Sequence, residues 1–198
     1  MFSKNEKFFY YIPLVIFLFL SAKVETNTDI KSTILDHLNS LKSFSASFIQ
    51  SDSEGLSEGK VYIGDKRVRA EYLYPTKILI VLDEDKAMYY NHELEEDEFF
   101  NPKNTNAWFF YDIFRNPYFF KDSKVEVIEN QIIIEKNGLD INDEIYLIKV
   151  FFENKPLTLR KVEFLINDDL LAISIFNHNY NEEFEENFFK LINPRLLN

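Results

Sequence analysis

The stretch "LKSFSASFIQSDSEGLSEGKVYIGDKRVRAEYLYP" (Leu41–Pro75) contains the change of hydrophobic period on which the fold turns. Upstream of it, "TNTDIKSTILDHLNSLKSF" opens with Thr28 as an N-cap and Asp29 in the first turn, a helix start. Ile30, Ile34, Leu41 and Phe44 recur on one helical face with Leu38 beside them, and Phe48 prolongs that face if the helix runs on. The serine, acid and glycine of "SDSEGLSEG" predict a loop. Beyond it the period falls to 2. Val61 and Ile63 point one way, and Val68, Ala70 and Tyr72 share a face while Arg67, Arg69 and Glu71 take the other.

Working outward, "ILIVLD" and "AMYYN" continue an antiparallel meander through a turn at Glu84-Asp85-Lys86. Strand parity places Leu79, Val81, Met88 and Tyr90 with the apolar face. "NPKNTNAWFFYDIFRNP" then predicts a short helix between Pro102 and Asn116-Pro117, with Trp108, Phe109, Ile113 and Phe114 on one stripe. "VEVIE", "QIIIEK", "EIYLIKVFFE", "LRKVEFLIN" and "LLAISIFN" resume strands, and "NFFKLINP" predicts a last short one. The fold class expected is α+β: one curved antiparallel sheet whose apolar face is covered by two helices, because an exposed patch of that size would aggregate.

The chain has 198 residues, enough for one domain and a sizeable core. Lys4 and Lys7 precede thirteen apolar residues, Phe8–Leu20, and then Ser21-Ala22. Thirteen is too short to span a bilayer, which takes about 20, so residues 1–22 are expected to be a secretory leader cut after Ala22, with an uncleaved anchor as the alternative. Residues 23–198 are then a single domain. Removing a leader that carries +1 (Lys4, Glu6, Lys7) takes the formal charge from −11 to −12. Such a charge argues against nucleic acid and against docking on anionic lipid. The chain has no cysteine, so neither a disulfide nor N-terminal cysteine acylation is available to it. A monomer in the periplasm or outside the cell is expected.

Few residues suggest chemistry. His37 lies on the apolar side of the first helix, where a hydrogen-bonded structural imidazole is expected; His92 and His178 have no H-x-x-x-H partner for zinc. The acidic runs "ELEEDE" and "EEFEE" lack the alternating ligands and central glycine of a calcium loop and are expected to be solvated. No G-x-S-x-G or glycine-rich phosphate loop occurs. No catalytic residue, metal or cofactor is expected, although 33 acids leave a carboxylate-pair hydrolase open.

"FSASFIQ", "EGKVYIG", "RVRAEYLYP", "ILIVLDEDKAMYY" and "NFFKLINP", in that order, resemble the LolA type of outer-membrane lipoprotein carrier. The resemblance implies an unclosed β-barrel with an α-helical lid over an apolar cavity. It implies a periplasmic carrier that receives acylated lipoproteins from an inner-membrane ABC transporter and passes them to an outer-membrane receptor or the membrane itself. The expected acyl-binding set is Ile34, Leu41, Phe44, Phe48, Val61, Ile63, Val68, Ala70, Tyr72, Leu79, Val81, Met88, Tyr90, Trp108, Phe109, Ile113 and Phe114. An Arg-Pro pair that latches the lid in the family is replaced here by Gly64-Asp65-Lys66-Arg67. Arg67 and Arg69 are the latch candidates, or else plain strand arginines. An envelope lipoprotein sensor of the same fold and an exported hydrolase remain the alternatives.

Overall fold

The computed structural model describes residues 27–116, 118–140 and 143–196. The leader expected at 1–22 and the proline at 117 lie outside them. Helix α1 (Asn27–Ser40) is followed by strands β1 (Phe44–Asp52), β2 (Gly55–Ile63), β3 (Val68–Tyr74), β4 (Ile78–Leu82), β5 (Ala87–Asn91) and β6 (Glu96–Phe100). A 3-10 turn at Pro102–Asn104 and helix α2 (Ala107–Arg115) interrupt the sheet. Strands β7 (Lys124–Ile128), β8 (Gln131–Leu139), β9 (Ile145–Glu153), β10 (Thr158–Ile166) and β11 (Asp169–Asn179) complete it.

All eleven strands form one antiparallel sheet, in the order β6-β5-β4-β3-β2-β1-β11-β10-β9-β8-β7. Two sequential meanders are thus joined where β1 pairs with β11. Laid flat, eleven strands would span about 50 Å, and sheets of that size curl. Ile80 and Phe100 near one edge and Val125 at the other pack against one cluster with α1 and α2, so the sheet wraps around its helices. The edge strands β6 and β7 are not paired with each other, and the barrel stays open. The connection between those two edges passes over the concave face, where Phe109, Ile113 and Phe114 join the core. That crossing segment carries α2, which is why the lid sits where it does.

Three expectations are corrected. First, α1 ends at Ser40, and Phe44 and Phe48 belong to β1 rather than to the helix. Residues four apart share a face in a helix and in a strand alike, so this pair could not discriminate. The alternation of Phe44, Ala46 and Phe48 as buried positions, and pairing on both sides with β2 and β11, favours the strand. Second, "SDSEGLSEG" is a two-residue hairpin rather than a loop. Asp52 Oδ1 accepts from Glu54 N at 2.9 Å and Gly55 N at 3.2 Å, and Gly55 takes φ 136°, a conformation that favours glycine. Third, "NFFKLINP" is not a strand. It forms turns closed by Phe188 N to Glu185 O and Lys190 N to Asn187 O, then a 3-10 turn at Pro194–Leu196. The run "ELEEDE" divides between a turn and the exposed edge strand β6, where charge discourages pairing with other chains.

The second helix agrees with its prediction. Asn116 N closes it onto Asp112 O at 3.1 Å, and Phe109, Ile113 and Phe114 are buried.

Candidate apolar binding site

Between α2 and the concave face lies a cavity of about 250 Å³. Phe48, Val61, Val68, Ala70 and Tyr72 supply one wall from β1, β2 and β3, and Ile80 and Leu82 extend it along β4. Val162, Ile173 and Ile175 supply the other wall from β10 and β11. The roof is Ala107, Phe110 and Phe114, three positions of one helical stripe, with Asn106 at its end. Polar atoms at this site are few and satisfied where they matter. The Tyr72 hydroxyl donates to Gln50 Oε1 at 2.8 Å, and burial pushes its pKa up to about 12, so the ring stays neutral.

Phe48 depends on its neighbour across the ladder. It faces Gly59, where a Cβ would fall 2.5 Å from Phe48 Cζ and 2.3 Å from the Glu71 carbonyl oxygen. Only a glycine there lets the Phe48 ring lie over β2 and meet Tyr72 edge-on at 5.1 Å.

Six of the residues expected from the sequence therefore come together here: Phe48, Val61, Val68, Ala70, Tyr72 and Phe114. Ile34, Leu41, Phe44, Ile63, Phe109 and Ile113 are buried in the surrounding core and do not line the cavity. Trp108 is half-buried on the flank of α2, against Phe119 and Tyr146. Leu79, Val81, Met88 and Tyr90 are corrected outright. They form a separate cluster with Leu191 on the opposite face of the sheet. Pairing decides this: Val68 faces Leu82 and Ala70 faces Ile80, whereas Val81 lies opposite Arg69 and Leu79 opposite Glu71.

The arginines are also placed differently. Arg67 Nε donates to Asp83 Oδ2 at 2.7 Å and its Nη1 to the Phe189 carbonyl at 3.0 Å. Arg69 pairs with Glu71, donates to the Phe188 carbonyl and stacks 4.2 Å over the Phe188 ring. Both point outward because they alternate with Val68 and Ala70. They hold the C-terminal segment, not the lid. The lid is tied down by Arg115, which the sequence reading missed. Its Nη2 donates to the Leu41 carbonyl where α1 leads into β1, and burial lowers its pKa to about 10.

The residues that parity overlooked have identifiable reasons. "ILIVL" is apolar on both faces, so its parity cannot be set without the β3 partner. Helix α2 is apolar around most of its girth, which hid Phe110. Val162 and Ile173 do alternate with polar or smaller neighbours, and that signal was available; Ile175 is followed by Phe176, an apolar residue on the other face.

His37, in the last turn of α1, has its ring edge-on to Phe152 at 6.3 Å, and its Nε2 is buried without a hydrogen-bond partner, contrary to the expectation. His178 Nε2 lies 2.6 Å from the Leu159 carbonyl. Among the described residues no helix is long and apolar enough to cross a membrane.

No family model matches the chain, and no curated protein matches it. Among solved structures it is similar to the MucA/MucB complex of Pseudomonas aeruginosa, with 11% identity over 80% of this chain and 59% of that one and a TM-score of 0.46. A crystal structure of MucB gives 10% identity over 80% of this chain and 62% of that one, with a TM-score of 0.47. LprF from Mycobacterium bovis gives 6% identity over 81% and 97%, with a TM-score of 0.41. The chain thus spans about three fifths of the length of the MucB chains it matches.

Proposed function

We propose that this chain is a periplasmic carrier that takes up lipoprotein acyl chains in its cavity and conveys lipoproteins from the inner to the outer membrane. The observation that carries the reading is the cavity itself, walled by apolar side chains on the sheet and roofed by an apolar helix. The sequence resemblance to LolA-type carriers supports it. Transport of this kind needs no reactive group. One acyl chain of ordinary length gains about 10 kcal/mol on leaving water, at about 0.8 kcal/mol per CH₂, so a lipidated protein requires a dry surrogate for the bilayer to cross an aqueous space. The chain offers binding and release rather than catalysis. Energy for extraction is supplied by an inner-membrane ABC transporter, and the load passes to an outer-membrane receptor or the membrane.

The resting cavity, about 250 Å³, falls below the ~300–1,000 Å³ common for ligand pockets. Loading therefore requires α2 to move off the sheet, and the cavity is the volume left when it closes. Binding of a fluorescent palmitate analogue tests the site. Val68→Glu places a carboxylate in the apolar wall and should weaken binding about 100-fold; Ala70→Phe fills the space and should weaken it without adding charge. Undiminished binding by both folded variants refutes the cavity assignment. Carriage is tested with spheroplasts: purified protein should release acylated lipoprotein into the medium. Acyl binding without such release refutes carriage and favours a lipoprotein sensor.

A further inference from the structure

The cavity adjoins a second, open groove of about 540 Å³, and the two share Asn106 and Phe110 at the start of α2. The groove lies at one end of the sheet. Ser51 pairs with both Leu56 and Ala172, and Ile166 with both Asp169 and Tyr146, so the β1–β2, β10–β11 and β8–β9 turns stand side by side there. Its floor is apolar, with Phe164 and Leu171 among the contributors. Its rim carries the carboxylates of Asp52, Glu54, Glu144 and Asp169, and among the described residues no lysine or arginine lines it. Large apolar side chains project from the same turns: Leu56, Leu139, Ile145 and Leu170 are each more than half exposed. At the other end of the sheet, the turns carry Lys66, Arg67, Lys86 and Lys155 among their acids.

We infer that this groove seats the polypeptide segment next to the acyl group of the cargo, and that it selects segments bearing lysine or arginine in the first few residues after the acylated one. The inference rests on the carrier reading. An acyl chain lodged under Phe110 leaves its attached backbone at Asn106, at the head of the groove. That backbone then runs between four carboxylates contributed by three hairpins, more negative charge than one amine on a lipid headgroup can match but within reach of successive basic side chains. Exposed apolar residues beside the carboxylates cover the stems of those side chains. Anionic phospholipid is repelled by the same rim.

The test uses the full chain and three palmitoylated peptides that differ only in four residues after the acylated glycine: lysines, serines or glutamates. At low salt the lysine peptide should bind about tenfold tighter than the serine peptide, as two or three exposed charge pairs acting together allow. The glutamate peptide should bind most weakly, and the differences should shrink as ionic strength rises. Glu54→Lys with Asp169→Lys should reverse the order of preference, which also shows that the variant folds. Equal affinity for all three peptides overturns the inference and leaves the carrier reading standing. Failure of every acylated probe, fluorescent palmitate included, overturns the carrier reading and the inference with it. Charge-blind peptide binding together with sedimentation on phosphatidylcholine vesicles, lost in Leu56→Ser with Ile145→Ser, replaces the peptide with a bilayer as occupant of the rim.

Discussion

Phe48 lies across Gly59 on the neighbouring strand, and a single added carbon there meets both a ring and a carbonyl oxygen. Gly59→Ala should cost about 1–3 kcal/mol, the usual cost of overpacking. Urea unfolding of Gly59→Ala, Phe48→Leu and the double variant should show partial recovery in the double. Full additivity would mean that the backbone contact alone sets the cost. Two imidazoles make a second prediction. His37 and His178 both have pKa values lowered from 6.5, chiefly by burial; proximity to His178 adds to the effect on His37. The unfolded chain therefore takes up these protons first as pH falls. Stability from the neutral rings is complete above about pH 6.5 and is lost as the pH falls from there through the lowered folded values. The urea midpoint should be lower at pH 5.5 than at pH 7.5, and the drop should be smaller in His37→Gln/His178→Gln. An equal drop in that variant assigns the pH dependence to other groups.

At the level of elements, two segments cross the sheet on opposite faces. Helix α2, on the connection between the two edge strands, crosses the concave face because its apolar side chains are buried there. The C-terminal segment crosses the convex face, where Leu191 covers Leu79, Val81, Met88 and Tyr90. Glu182 starts this crossing, bonded to Ser43, and Arg195 ends it with a 2.5 Å contact to Glu95. The outer segment is held at many points by arginines, ring contacts and side-chain bonds. Arg115 joins the inner segment to the end of α1. A charge-assisted hydrogen bond contributes about 1.5–3 kcal/mol, so Arg115→Met should ease opening and speed palmitate association about tenfold. Methionine replaces a buried cation with an apolar chain of similar length, so global stability should change little. Stopped-flow association and hydrogen exchange of residues 107–115 measure this, and unchanged association would remove Arg115 from any role in gating.

For the whole molecule, the proposed function makes the curled sheet and its lid a container whose stability depends on its contents. A ligand held only by the folded state adds about 2.7 kcal/mol at a hundredfold excess over Kd. Saturation with palmitate should therefore raise Tm by several degrees, and the shift should vanish in Ala70→Phe. A shift that persists in Ala70→Phe would locate the binding elsewhere. Before loading, the cavity is small, and the helix that closes it is fixed by few polar contacts. Such a lid suits the release that the proposed function requires.

The period change after Leu41, the alternation of Val68, Ala70 and Tyr72 against Arg67, Arg69 and Glu71, and the turn residues were enough to derive an α+β fold with most strands in place. They were enough because each depends on near neighbours in the chain: which face a side chain takes follows from local geometry once the element type is known. What remained ambiguous was every segment whose local pattern fits two answers. Phe44 and Phe48 suit a helix or a strand, "ILIVL" is apolar on both faces, and α2 is apolar nearly all round. For these, only the partner decides: β11 beside β1, β3 beside β4, and the sheet beneath α2. Which face became the inside, and so which residues enclose the cavity, was settled by pairings between residues far apart in sequence, because burial is a property of the assembled sheet and not of any strand within it.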